Sequence, residues 1–289
     1  MRGDAESMTL LRPRSVEEAL RLYAANPVAV PLAGGTDFMV AWNAGEANGQ
    51  TILDLSRLSP WKRIIETKAG VRIGSLVTHW ELQIHPLVRK RLPLLAAACA
   101  TIGGGQIQAR GTLGGNIANA SPAGDTFPPL AVYEARVRLR SAGEPRTLPL
   151  LDVFTGVKQT ALAQGELIDS IEVDFPRRPS RQSFRKVGTR AASAIAKTVA
   201  AGLLWLSSDG RIREVRFALG SMAPTVRRLA SVESLLTGKK PNSRLIEDAV
   251  AHLEKDVSPI DDLRSTRAYR LEVSRNLLRA FLQAGVFRF

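Results

Sequence analysis

The 289-residue sequence is poor in metal-binding side chains, with one cysteine, Cys99, and three histidines. A single cysteine excludes an internal disulfide, and it excludes an iron–sulfur cluster held by this chain alone, because such clusters usually need four thiolates. His79, His85 and His252 show no HExxH or paired-ligand spacing, so surface or packing roles are expected for them. The sequence therefore predicts no metal site in this chain.

Long apolar runs are also missing. The longest, residues 92–100 and 198–206, are far shorter than the roughly 20 residues that a membrane-spanning helix needs. The N-terminal residues include acids and arginines, where a secretory signal would have an apolar stretch. We therefore expect a cytoplasmic protein without a membrane span.

The charge balance is strongly basic, with 40 Lys and Arg against 27 Asp and Glu and a net charge of +13. Nucleic acid, an anionic ligand, a protein partner or a merely basic surface would each fit this excess. Zinc-finger spacing and aromatic-interleaved RNA motifs are absent, which makes nucleic-acid binding the weaker interpretation. Arg136, Arg138 and Arg140 alternate with Val137 and Leu139, a pattern that predicts a strand with one solvated face.

Several nucleotide and catalytic signatures are absent as well. There is no GxGxxG, no P-loop glycine upstream of Gly238-Lys239, and no Gly-x-Ser-x-Gly elbow. Cys99 lies in an alanine-rich helical stretch, which favours an inert buried thiol over a nucleophile. The sequence thus predicts no catalytic side chain.

The remaining pattern predicts an α+β protein. Ser15 with Glu18 and Thr78 with Glu81 are spaced as capping boxes that begin helices. Strands are expected around 28–33, 51–55, 135–141, 146–149 and 166–175, a hairpin about 68–70, and a second hairpin between 198–206 and 212–219. Helices are expected at 15–25, about 38–42, 93–101, 151–155, 229–237, 244–254 and 265–284. We expect residues 101–130, which are rich in glycine and nearly uncharged, to form an ordered loop.

Two glycine clusters lie between apolar segments, at 33–36 and 111–116. Glycine permits positive φ and lets a ligand approach the bare backbone amides. Successive N–H groups in such a turn form a concave donor site for a phosphate or diphosphate. Two ordinary tight turns remain the alternative interpretation.

AGGTD at 33–37 and GTLGGNIANASPAGD at 111–125 resemble the FAD-binding medium subunit of the molybdenum hydroxylases, the xanthine dehydrogenase and carbon monoxide dehydrogenase family. The order of elements agrees over essentially the whole chain, including 166–176 and 184–196. The resemblance implies an α+β fold: a vanillyl-alcohol-oxidase (PCMH)-type FAD-binding domain of two subdomains, 1–60 and 61–178. A C-terminal α+β domain, with a small antiparallel sheet and helices, would occupy 179–289.

The resemblance also implies a set of FAD-binding residues. The diphosphate would lie between the two glycine clusters, and the complete implied set is Leu32, Ala33, Gly34, Gly35, Thr36, Asp37, Thr112, Gly114, Gly115, Asn116, Ser121, Asp125, Leu167, Ile168 and Lys186.

Five members of this set have more individual roles. Ser121 and Asp125 would meet ribityl and ribose hydroxyls, although Asp125 also fits a helix cap before residue 126. Leu167 and Ile168 would shield the adenine or the flavin plane from water. Lys186 would place a cation beside the isoalloxazine, which stabilises the anionic reduced flavin; a solvated surface lysine is the alternative.

The chain departs from the family pattern at one loop. Relatives usually read QIRN before the glycine–threonine pair, whereas this chain has Gln108 and Ala109 at the last two positions. The effect of this change on ring or partner contacts is left open. The four-cysteine insertion that holds a four-iron cluster in some relatives cannot be present.

By resemblance, the function is electron transfer through FAD in a heterotrimeric molybdenum hydroxylase, an oxidoreductase. A large molybdopterin subunit would oxidise the substrate, and a small subunit with two two-iron two-sulfur clusters would pass electrons to this flavin. Two such heterotrimers are expected to dimerise, and an external acceptor would take the electrons. A self-sufficient reductase resembling the enolpyruvyl reductases and a basic nucleic-acid-binding protein remain alternatives, and the substrate and acceptor are not specified by this sequence.

Overall fold

The computed structural model describes residues 3–286. Residues 1–2 and 287–289, the outer ends of the first and last predicted domains, lie outside the described residues. No helix within the described part is long and apolar enough to cross a bilayer.

The N-terminal part is a three-stranded parallel sheet with strand order β1-β3-β2. Its elements are β1 (Thr9–Leu11), α1 (Val16–Ala25), β2 (Val30–Leu32), α2 (Phe38–Asn43) and β3 (Thr51–Asp54). Helix α1 makes the crossover that parallel strands require, and its apolar face packs with Leu53 in one core cluster. The capping box predicted here is half formed, because Ser15 accepts from Glu18 N but the Glu18 carboxylate accepts from Arg14 N.

The middle part is a five-stranded antiparallel sheet of order β4-β5-β10-β6-β7. Its strands are β4 (Ile64–Glu66), β5 (Gly70–Gly74), β6 (Arg136–Arg140), β7 (Arg146–Pro149) and β10 (Leu167–Asp174). The alternation predicted for β6 is confirmed, since Val137 and Leu139 are fully buried while the arginines are partly exposed. On that outer face Arg136 forms two hydrogen bonds with Asp174.

Seven helices and a small hairpin complete this part. They are α3 (His79–Ile84), α4 (Pro86–Arg91), α5 (Pro93–Cys99), α6 (Gly105–Arg110), α7 (Leu113–Asn119), α8 (Phe127–Val132), α9 (Leu150–Val153), β8 (Phe154–Gly156) and β9 (Gln159–Thr160). A short 3-10 helix at Ser59–Lys62 precedes β4, and a second one, Leu253–Lys255, belongs to the C-terminal part. The predicted capping box of α3 is confirmed, with reciprocal bonds between Thr78 and Glu81.

The ordered loop predicted for 101–130 is wrong in its local structure, because α6, α7 and α8 all lie inside it. Glycine lowers helix propensity by roughly 1 kcal/mol per residue relative to alanine. These helices have only six or seven residues each. Burial of Leu113, Ile117 and Leu130 outweighs the poor local propensity.

The C-terminal part is a four-stranded antiparallel sheet followed by helices, as predicted. Its elements are β11 (Arg181–Val187), β12 (Thr198–Leu206), β13 (Ile212–Gly220), β14 (Arg227–Arg228), α10 (Ala230–Leu236), α11 (Ser243–His252) and α12 (Arg267–Val286). Strand β11 was not predicted, because its sequence is polar and lacks the alternation of a strand. It forms by pairing with β12 along its full length.

The C-terminal sheet is buried on both faces. One face packs against α10, α11 and α12 around Phe217 and Phe281. The other contributes Ala201, Leu203 and Ala218 to the same core cluster as the middle sheet and α8. This shared core fixes the C-terminal sheet against the segment that carries the second glycine cluster.

Candidate functional site

The two glycine clusters touch each other. A Cβ built on Gly34 would lie 1.8 Å from the carbonyl oxygen of Arg110 and 3.1 Å from Gly111 Cα. A side chain at position 34 would therefore push the two backbone segments apart. Gly111 in turn leaves only 3.4 Å between its built Cβ and Thr36 Oγ1. The close approach explains why both segments need glycine where they meet.

The first cluster presents unused backbone donors. Within residues 3–286, the N–H groups of Gly34, Gly35, Thr36 and Asp37 donate no hydrogen bond to protein atoms. Gly35 adopts a φ of +79°, which turns the chain sharply before α2. Partly buried N–H groups are normally paired, and a run of successive unpaired ones is a typical anion-binding arrangement.

These turns form one wall of an open crevice of about 590 Å³ between the N-terminal and middle sheets. Nine of the residues predicted from the resemblance line it: Leu32, Ala33, Gly34, Gly35, Thr36, Asp37, Thr112, Gly115 and Asn116. Thr112 begins α7 and uses its hydroxyl to accept from Gly115 N. The crevice thus brings together segments that are about 80 residues apart in the sequence.

A second cavity of about 360 Å³ continues the first. Both are lined by Pro31, Ala33, Gly115 and Ala118. The second holds three more predicted residues, Gly114, Leu167 and Ile168, and its other lining side chains include Tyr23, Leu55, Leu76 and Leu162. Ser75, Thr160, Gln164 and Glu166 add polar groups to this lining, and the two cavities share one wall.

Sequence reasoning missed residues that complete the crevice. Asn119 donates from Nδ2 to Asp37 Oδ1 at 3.2 Å and so links α7 to the first glycine turn. It follows Asn116 by three residues, which places both on one helix face, and this spacing could have identified it. Ile102 and Ile107 line the larger cavity and not the second one, and no local motif indicated them.

Three predicted residues do not line either cavity. Ser121 accepts from Ala123 N in a local turn. Asp125 and Lys186 bond to each other, with Lys186 Nζ 2.5 Å from Asp125 Oδ2 and 2.8 Å from the Thr101 carbonyl oxygen. Their side chains are 7% and 10% exposed, so the solvated-lysine interpretation is wrong. The helix-cap interpretation of Asp125 is also wrong, because α8 begins without a side-chain cap.

Asp125 is only half satisfied. Its second oxygen, Oδ1, is buried and has no hydrogen-bond partner among the described residues. Burial raises the pKa of Asp125 to about 6, although the charge and hydrogen bond of Lys186 act in the opposite direction. A contact of Asp125 or Ser121 with a sugar hydroxyl stays a prediction.

His79, which lines the crevice, forms a buried contact with Cys99. Cys99 Sγ lies 3.8 Å from His79 Nδ1. Burial lowers the pKa of His79 to about 4, and burial together with the charge of Asp125 raises the pKa of the Cys99 thiol. The thiol is therefore protonated and shielded from solvent, in keeping with the inert role predicted for it.

The described residues contain no group of three or more His, Cys, Asp or Glu side chains that could hold a metal ion.

The two residues that depart from the family pattern, Gln108 and Ala109, have different surroundings. Gln108 is buried, donates to the Ala100 carbonyl oxygen and accepts from Gln83 Nε2, whereas Ala109 is exposed.

The crevice fits FAD on the chemistry of its donors. The unpaired N–H groups and the touching glycine turns suit a diphosphate in the larger cavity, next to Ala33, which lines both cavities. The two cavities together suit an elongated dinucleotide, and the apolar side chains of the second cavity suit an aromatic ring.

Comparison with known proteins agrees with this geometry. A family model described as the FAD binding domain in molybdopterin dehydrogenase matches residues 6–176, and one described as the CO dehydrogenase flavoprotein C-terminal domain matches residues 183–284. The glyceraldehyde dehydrogenase medium chain of Sulfolobus acidocaldarius is 30% identical over 95% of this chain and 97% of its own. The carbon monoxide dehydrogenase medium chain of Hydrogenophaga pseudoflava is 28% identical over 94% and 95%.

A solved structure is similar over its whole length. Carbon monoxide dehydrogenase from Hydrogenophaga pseudoflava, in a form lacking the Mo-pyranopterin moiety of its cofactor, has a chain that aligns with a TM-score of 0.90 and 28% identity. The alignment covers 96% of both chains. The predicted fold class is thereby confirmed.

Proposed function

Because this chain belongs to the family of FAD-binding subunits of molybdenum-containing dehydrogenases, we propose that it transfers electrons through FAD within a larger oxidoreductase complex. Relatives are named medium chains and FAD-binding subunits, which supports the presence of large and small partner chains. The donor in this proposal is a small subunit with two-iron two-sulfur clusters. A large subunit carries molybdopterin, and two heterotrimers form the complete enzyme.

The chain's own residues bind and orient the cofactor. In this proposal the N–H groups of Gly34, Gly35 and Thr36 hold the diphosphate, and Thr112 and Asn116 shape the facing turn. Leu167 and Ile168 exclude water from the second cavity. FAD, when bound, accepts and releases electrons singly or in pairs. Side-chain chemistry is not required of the protein in this proposal.

The run of unpaired N–H groups in the wall of the larger cavity carries the proposal. Its test is isothermal titration of the full chain with FAD, with ADP as a second ligand that carries the same diphosphate. We expect both to bind, FAD more tightly, with flavin fluorescence changed on binding. A folded chain that binds neither would contradict the cofactor assignment.

Complex formation is tested separately. Affinity purification of the chain from its native source should recover molybdenum and about four iron atoms per chain, the number in two two-iron clusters. Native mass spectrometry would show whether heterotrimers pair. A chain that purifies alone and reduces an enoyl substrate at its bound FAD, with a reduced nicotinamide cofactor as the electron donor, would support the self-sufficient alternative instead.

The proposed division into subdomains at residues 60 and 178 also has a test. Limited proteolysis of the FAD-loaded chain should cut first near 176–180, where exposed residues connect β10 to β11. Early cuts inside 30–60 would contradict this division.

A further inference from the structure

The buried pair Asp125 and Lys186 is connected to the wall of the crevice through hydrogen bonds. Lys186 donates to the carbonyl oxygen of Thr101, whose chain neighbour Ile102 lines the crevice. On the other side Thr126, the neighbour of Asp125, donates from Oγ1 to Oδ1 of Asn116 at 2.6 Å, and Asn116 also lines the crevice. The pair is thus one residue away from the crevice wall on two sides.

The two ends of the crevice differ in the groups next to them. The end lined by Leu167 and Ile168 combines apolar side chains with Gln164 and Glu166, a mixture that suits an adenine ring and its amino group. The end at Ile102 and Ile107 reaches solvent, with Ile107 39% exposed, and Ile102 is the chain neighbour of Thr101, whose carbonyl oxygen accepts from Lys186. An electron-exchanging ring needs an accessible edge, and its reduced form gains from a nearby positive charge. The geometry therefore favours the isoalloxazine at the Ile102 end.

At this position Lys186 does not act as an isolated cation. Its ammonium group has three donors, of which one goes to Thr101 and one to Asp125. While Asp125 is ionised, the pair has a net charge of zero. When Asp125 takes up a proton, the full charge of Lys186 remains in a site of low effective dielectric, where its field extends further than in water.

Building on the proposed function, we propose that Asp125 and Lys186 act as one titrating unit that sets how the redox potential of the bound flavin depends on pH, with Asp125 as the positioning and charge-compensating residue. Neither side chain is oxidised or reduced. Bound FAD would supply the two-electron chemistry. Asp125 would take up one additional proton from solvent when electrons reach the cofactor and would return that proton to solvent when they leave.

The surroundings leave Asp125 as the group that titrates. Lys186 faces it from β11, Thr101 follows α5, and Cys99 on α5 and His79 on α3 are neutral near pH 7 because both are buried. Burial raises the pKa of Asp125 to about 6, within the range where an enzyme operates. The buried, unpartnered Oδ1 is the atom that would carry the proton.

The experiment is a spectroelectrochemical titration of FAD bound to the full chain, from pH 5 to 8. Asp125→Asn fixes the pair at a net charge of +1, so its potential should be higher than that of the parent at pH 8 and should match it at pH 5. Lys186→Met leaves a buried carboxyl that stays protonated, so its potential should follow the parent at pH 8 and lack the extra rise at low pH. The double variant should behave as Lys186→Met.

We expect the Asp125→Asn shift at pH 8 to be at least tenfold in the ratio of reduced to oxidised flavin, about 30 mV for a two-electron couple. Asp174→Asn is the matched control, because it removes one carboxylate from the exposed ion pair with Arg136 on the outer sheet face. Lys186→Arg keeps the charge and should retain the parental pH dependence, which provides a second folded variant.

Equal potentials for the parent and Asp125→Asn at every pH, with FAD bound to both, would overturn the proposal. An equal shift in Asp174→Asn would also overturn it, since the effect would then be one of total charge. Failure of the parent chain to bind FAD would instead contradict the proposed function, so the two failures are distinguishable.

Discussion

At the scale of single residues, Gly34 is the most constrained position in the crevice. In Gly34→Ala the new Cβ would lie 1.8 Å from the Arg110 carbonyl oxygen, a rigid backbone atom. We expect FAD affinity to fall by at least a hundredfold, because the two glycine turns must separate. Isothermal titration with FAD measures this. Overpacking of this kind costs roughly 1–3 kcal/mol of stability.

The control for Gly34→Ala is Gly143→Ala. The Cβ built on Gly143 meets only Ser141 Oγ at 3.6 Å, an ordinary contact. Unchanged FAD affinity is expected there. If Gly34→Ala also kept the parental affinity, the contact between the turns would not shape the binding site.

His79 gives a pH-dependent prediction. Burial lowers its pKa from 6.5 to about 4, so the unfolded chain binds a proton in this range that the folded chain does not. The stability linked to neutral His79 is therefore complete above pH 6.5 and is lost as the pH falls towards 4. The free energy of unfolding should fall by about 3 kcal/mol over this pH range, at 1.36 kcal/mol per pKa unit.

The measurement is urea unfolding of the parent and His79→Gln at pH 7, 6, 5 and 4.5. We expect the free energy of unfolding of His79→Gln to improve relative to the parent as the pH falls. His252→Gln changes a partly exposed histidine on α11 and should show a nearly constant difference. A constant difference for His79→Gln as well would show that this imidazole is hydrated in the folded chain.

At the scale of elements, α3 depends on its capping box. Thr78 Oγ1 accepts from Glu81 N, and Glu81 Oε2 accepts from Thr78 N at 2.8 Å. Thr78→Ala should lower the free energy of unfolding by about 1 kcal/mol, as typical for an N-cap. Chemical denaturation measures this loss. Thr78→Ser retains the hydroxyl and should recover most of the stability; equal losses in both variants would mean that methyl packing, not the cap, is responsible.

Some elements could be predicted from local sequence and others could not. The capping residues, the hairpin at 68–70 and the alternation in 136–140 are local signals, and each predicted its element correctly. The helices α6, α7 and α8 could not be predicted in this way, because they form where tertiary burial outweighs a glycine-rich composition. Strand β11 likewise depends on its partner β12.

The candidate site shows the same division. The glycine clusters identified the crevice because two backbone segments approach closely there and only glycine fits between them. Such a requirement is visible in the residue type alone. The ion pair of Asp125 with Lys186 joins positions 61 residues apart, and no spacing rule connects them. The sequence therefore predicted that both residues belong to the site, but it did not predict that they form an ion pair with each other.

At the scale of the whole molecule, the two matched segments share one core. Ala201, Leu203 and Ala218 of the C-terminal sheet belong to the same buried cluster as Phe127 and Leu130 of α8. Arg228 also donates to the Ala131 carbonyl oxygen across this junction. The two segments should therefore stabilise each other.

We expect a fragment of residues 1–176 to unfold without a sharp transition and to bind a hydrophobic dye, because α8 loses its apolar cover. Differential scanning calorimetry of the intact chain should show a single transition. A fragment that melts as sharply as the intact chain would contradict this shared core.

The one thiol of the chain lies inside this core, against His79. The native protein should consequently not react with maleimide reagents, which modify accessible thiols. A cysteine introduced at an exposed position such as Val157, which is 56% exposed, would be the single attachment point for a fluorophore. The fluorescence polarisation of that dye would then report assembly with other chains in real time, because a larger complex tumbles more slowly.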